Sequence, residues 1–84
     1  VTTELPSTQL IPLDGLREQE RARVIDVDAR PDVRHRLEEM GLREGTVIRL
    51  LKRGTPCILC IGDQRLSFRP EPDTFILVEP LRGY

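Results

Sequence analysis

The chain has 84 residues, 38% of them hydrophobic and 32% charged, with a formal net charge of -1. A chain of this size forms one small domain that buries somewhat more than about 60% of its unfolded surface. Balanced charge offers no global attraction to nucleic acid or an anionic membrane, and no apolar run approaches the roughly 18 residues that cross a bilayer.

Residues 1–8 (VTTELPST) are polar and read as a flexible leader without a signal-peptide pattern, which makes the cytosol the expected compartment. Residues 9–81 read as the folded domain and 82–84 as a tail. In QLIPLDGL, Leu10, Leu13 and Leu16 fall three apart around an Asp14-Gly15 turn, which predicts a short helical turn on the domain edge. The charged run REQERAR leads into a first strand at Val24-Ile25-Asp26-Val27. Pro31 suits the first position of a helix, where a missing N–H has no partner to lose. Val33, Leu37 and Met40 then form one apolar stripe, and Arg34 with Glu38, or Asp32 with Arg36, can pair across a turn. Gly41 stops the helix. A left-handed Gly41 folds Leu42 back onto Leu37 in a Schellman motif, and Arg43-Glu44-Gly45-Thr46 fits a type II turn.

A second strand follows from Thr46 to Arg53, and Gly54-Thr55-Pro56 turns the chain into a third at Cys57–Ile61. Gly62-Asp63 is a hairpin signal, and Gln64–Arg69 alternates with Leu66 and Phe68 inward. Pro70–Asp73 breaks the pattern, Thr74–Glu79 is the last strand, and Pro80 stops it. Five short strands and one helix between the first two predict a mostly β fold, a small closed barrel of about five strands. An SH3-like barrel and an OB-fold both fit, and closure would hide the edges of the apolar strands.

The ordered set of motifs resembles the FeoA family, small cytosolic proteins of bacterial ferrous-iron uptake. The resemblance is carried by Arg36-Leu37, Met40-Gly41-Leu42, Gly45-Thr46, Gly62, Leu66-Ser67-Phe68-Arg69 and Ile76-Leu77-Val78, and covers residues 10–81. It implies an SH3-like barrel, no enzymatic activity, no cofactor, and a regulatory role on the membrane GTPase transporter FeoB. The same fold occurs in iron-dependent repressors, so a metal-responsive regulatory domain is the alternative. Where this chain has Gln19 and Ala22 the family usually has Gly, and where it has Glu44 the family often has Pro. The loop at Gly54-Thr55-Pro56 is commonly longer in the family.

Cys57-x-x-Cys60 raises a further alternative, a small metal-binding protein. On a strand, however, residues i and i+3 point to opposite faces, and no second such pair supplies more ligands. Structural cysteines are the expectation, with no metal site. His35 lies beside the apolar stripe and can pair with Glu39, and no phosphate loop or nucleophile motif occurs. Arg49, Lys52, Arg53, Arg65 and Arg69 would suit a nucleic-acid face, but the chain has almost no aromatic side chains for base stacking. Protein–protein recognition remains. The expected partner surface comprises Arg36, Glu39, Arg43 and Glu44 with Leu42 at its edge, and Leu10 and Leu13 as a second patch. Leu37, Met40, Gly41 and Gly45 are its structural support. Weak homo-oligomerisation is compatible with the pattern, and direct membrane insertion is not expected.

Overall fold

The computed structural model describes residues 9–81; the expected leader and tail lie outside the described residues. The described residues form six strands and one α-helix: β1 (Ile11–Pro12), β2 (Arg21–Asp28), α1 (Pro31–Glu39), β3 (Val47–Lys52), β4 (Cys57–Ile61), β5 (Gln64–Phe68) and β6 (Phe75–Pro80). A 3-10 turn, Leu13–Gly15, follows β1. All pairings are antiparallel, and the order across the sheet is β1-β6-β2-β3-β4-β5.

The architecture is the expected small, mostly β, SH3-like one, with two corrections. The strands among the described residues number six, because Ile11 and Pro12 pair with Val78 and Leu77 of β6 rather than joining the helical turn. The turn itself is confined to Leu13–Gly15. The ladder is also not closed: its order ends at β1 on one side and β5 on the other. A two-residue β1 is too short to bring a continuous edge back to β5.

One core fills the concave side. It takes Ala22, Val24 and Val27 from β2, Ile48 and Leu50 from β3, Leu59 from β4, and Ile76 and Val78 from β6, with Val33 and Leu37 of α1 above them. Period-2 alternation fails once in β2, where Val24 and Val27 both point inward. The register against β6 shifts between Val24 and Asp26, so a bulge changes the phase of the strand there. The charged run enters this strand as expected, and Pro80 does not stop β6 but pairs with Ala22. Leu81 extends the contact by donating its N–H to the Arg21 carbonyl at 2.9 Å.

Entry into β2 depends on Gln19. Its φ is +77°, the one positive φ at a non-glycine position among the described residues, and its N–H reaches the Leu50 carbonyl at 2.6 Å. A Cβ in the left-handed region costs about 1–2 kcal/mol, whereas glycine adds about 0.4–1 kcal/mol of unfolded-state entropy. Gln19→Gly is therefore expected to stabilise the fold by about 0.5–1 kcal/mol. Urea denaturation checks this, and an unchanged or lower midpoint would contradict the strain.

Candidate functional site

The site is built on α1 and the turn behind it. Arg30 precedes the helix and Pro31 occupies its first turn, with Asp32 toward the positive end of the dipole. At the other end Gly41 adopts φ +98°. The Leu42 N–H bonds the Leu37 carbonyl at 2.9 Å and the Gly41 N–H bonds the Glu38 carbonyl at 3.0 Å. These two bonds define the Schellman stop. The next turn closes through Thr46 N–H to the Arg43 carbonyl at 3.1 Å, with Gly45 at φ +90°. Gly45 and Thr46 then clamp Val24 of β2 at 2.7 and 2.8 Å, which fixes the helix end against the sheet.

Charged side chains cover the outside of this corner. Arg34 holds Glu38 at 3.2 Å, the Val27 carbonyl at 2.9 Å and Glu44 at 3.3 Å. The Glu38 hydrogen bond, with the charge of Glu44 adding to it, outweighs desolvation and pushes the Arg34 pKa upward. Arg43 donates to the Glu38 carbonyl at 3.2 Å, and His35 meets Glu39 at 3.1 Å. Of the two expected helix pairs, Arg34–Glu38 forms, whereas Asp32 lies 3.8 Å from Arg30. Arg30 also reaches Glu71 at 3.4 Å and Asp73 at 3.9 Å, tying the helix start to the β5–β6 connection. That tie spans some forty positions and has no local sequence signal.

Arg36, Glu39, Arg43 and Glu44 are all exposed on this corner. Leu42 is not: its exposure is 0%, so the residue expected at the rim of the partner surface is core. The reason is the Schellman geometry, which turns the residue after the glycine inward. Leu13 is likewise buried at 6%, while Leu10 stays 48% exposed. Leu37 is buried and Met40 packs against the core from a half-buried position.

The two cysteines separate as strand geometry requires. Cys57 is buried in the core, and burial, with Asp14 adding to it, pushes its thiol pKa up. Cys60 turns its Sγ to the Gly62 carbonyl at 3.2 Å. Their side chains do not converge.

Two grooves open on the surface formed by the described residues. One, of about 710 Å³, lies between the two ends of the strand order, with Pro12, Leu13, Phe68, Pro70 and the 60% exposed Phe75 in its wall. The other, of about 560 Å³, runs between α1 and β5, lined by Val33, Arg36, Met40, Ser67, Phe68 and Arg69. Neither is legible in the sequence, because each is bounded by residues from elements that are not neighbours in the chain.

A family model described as the FeoA domain matches residues 11–80. The chain belongs to the FeoA family. Its fold is similar to that of a FeoA protein from Chlorobium tepidum solved in solution, at TM-score 0.77 and 31% identity. That match covers 88% of this chain and 73% of the other. It is also similar to a crystal structure of an iron uptake regulatory protein (FeoA), at TM-score 0.76 and 23% identity, covering 87% of this chain and all of that one. None of the curated proteins matches the chain. In this FeoA-family chain, Gln19 holds a positive φ at the entry to β2. Among the described residues, no helix is long and apolar enough to cross a membrane.

Proposed function

We propose that this FeoA-family chain is a non-enzymatic accessory protein of bacterial ferrous-iron uptake, which docks on a cytosolic face of a FeoB-like membrane GTPase transporter. The family match over residues 11–80 carries the reading. The exposed corner of Arg36, Glu39, Arg43 and Glu44 supports it by offering a charged, rigidly held surface on α1 and its turn. Leu10 adds an exposed apolar side chain at the domain edge. Buried Leu42 supports the α1 corner from beneath.

Docking regulates the transporter only through unequal affinity for its conformational states. The test is a titration of this chain against the transporter's GTPase domain and against the full transporter in nanodiscs, each with GDP and with a GTP analogue. Saturable binding that differs between nucleotide states is expected. The double variant Glu39→Lys/Arg43→Glu should weaken it about tenfold or more, with the folded far-UV circular dichroism spectrum retained. Absence of binding to both the domain and the full transporter would end this reading.

A further inference from the structure

Among the described residues, the β5 strand is paired on one side only. The hairpin through Gly62-Asp63 places Ile61 opposite Gln64, Leu59 opposite Leu66 and Cys57 opposite Phe68. In a two-residue hairpin the flanking pair is hydrogen-bonded and the pattern alternates from there. Gln64, Leu66 and Phe68 thus bond toward β4, while Arg65 and Ser67 direct their N–H and C=O groups to the open side. The strand order ends there. Folded proteins protect such edges with proline, bulges, charged side chains, a covering helix or loop, or very short strands. β5 has five residues, a continuous register with β4, no proline, and Arg65 as its one charged side chain.

A groove of about 560 Å³ separates α1 from the C-terminal end of β5, where Ser67 and Phe68 line it. Its apolar lining comes from Val33, Leu37, Met40 and Phe68. The Thr74 hydroxyl, buried and without a hydrogen-bond partner among the described residues, belongs to the same lining. Charge is uneven around it. Arg36 and Arg69 flank the groove, both exposed and neither in an ion pair among the described residues. The acidic side chain in the lining, Glu71, is engaged by Arg30 at 3.4 Å. An unpaired strand edge facing a helix across an apolar trough is the arrangement by which peptide-binding domains add a strand.

We infer that the α1–β5 groove receives an extended acidic segment of a partner protein, which adds a strand to β5 with carboxylates toward Arg36 and Arg69. The inference rests on the docking function proposed above and names the chemistry of the segment that is docked. Backbone bonds to Ser67 within the groove, and to Arg65 farther along the same strand edge, hold the segment. Apolar side chains at alternate positions meet Phe68 and Met40, and the arginines reject basic segments.

The probe is a fluorescein-labelled acetyl-Asp-Val-Glu-Val-Asp-Leu peptide, with a counterpart carrying Lys at each acidic position. Fluorescence anisotropy and ¹⁵N-resolved amide shifts are read on the full chain. The acidic peptide should saturate below about 1 mM. Its shifts should centre on Arg65, Ser67, Arg69 and α1, and the lysine peptide should bind about tenfold more weakly or not at all. Ser67→Pro removes an outward N–H without touching the β4 ladder and should abolish binding. Arg69→Glu, which leaves the backbone intact, should weaken it about tenfold.

Lack of saturation, equal binding of the lysine peptide, or shifts centred elsewhere would overturn the inference. So would β5 shifts that follow protein concentration alone, since the occupant would then be a second copy of the chain. The two levels separate in a parallel titration of the transporter. Full transporter affinity in both Ser67→Pro and Arg69→Glu would remove the groove inference and leave docking standing. An unaltered chain that binds the acidic peptide but no form of the transporter would remove the proposed transporter and keep the groove.

Discussion

Leu42→Ala is expected to cost about 3 kcal/mol, within the range of about 2–5 kcal/mol for a fully buried leucine. Leu42 is 0% exposed and shares one core with Leu37, Val24 and Ile48. Truncation removes buried methyl groups and leaves a void where the helix end meets the sheet. Its backbone N–H bond to the Leu37 carbonyl would survive, because alanine retains the donor. Small domains have about 5–15 kcal/mol in total, so the variant would retain only part of its stability. The measurement is urea denaturation followed by far-UV circular dichroism. Leu10→Ala is the reference, expected within about 0.5 kcal/mol of the parent because it removes an exposed side chain. A Leu42→Ala cost as small as that of Leu10→Ala would mean that Leu42 is not core.

Gly41→Ala is expected to cost about 1–2 kcal/mol, and for a different physical reason. A Cβ built on Gly41 would meet Ile61 side-chain carbons at 3.8 and 3.9 Å, an ordinary contact. Space is therefore not the obstacle. The φ of +98° is, since an L side chain there crowds its own backbone. Gly41→Asn should cost less than Gly41→Ala, because asparagine tolerates the left-handed region. Both are read from thermal midpoints, at about 4–8 °C per kcal/mol for a domain of this size. Equal costs for Ala and Asn would point to packing against Ile61 instead of backbone conformation.

These two residues lie side by side and show why the helix stop was readable. A Schellman motif depends on one residue tolerating positive φ and on an apolar residue immediately after it, both of them local features. The type II turn at Gly45 and the Arg34–Glu38 pair follow the same logic, with partners at most four positions apart. The inward alternation of Leu66 and Phe68 was legible for a similar reason, since a strand's side chains change face at every residue. The opposed faces of Cys57 and Cys60 follow from the same period, three positions apart.

The sequence by itself determined the elements whose causes lie within one turn of helix or one hairpin: α1, its glycine stop, the turn behind it, the β4–β5 hairpin and the last strand. Only the tertiary structure decided which distant segments meet. Ile11 and Pro12 become a strand because β6 offers them an edge some sixty residues away, and no local propensity signals that. The open order of the ladder, the bulge that turns Val27 inward and the burial of Leu13 are settled by the same kind of long-range fit. So is the groove between α1 and β5, whose walls are brought together by packing and not by sequence proximity. Dihedral preference acts over a few residues, whereas register and enclosure depend on which surfaces the core must bury.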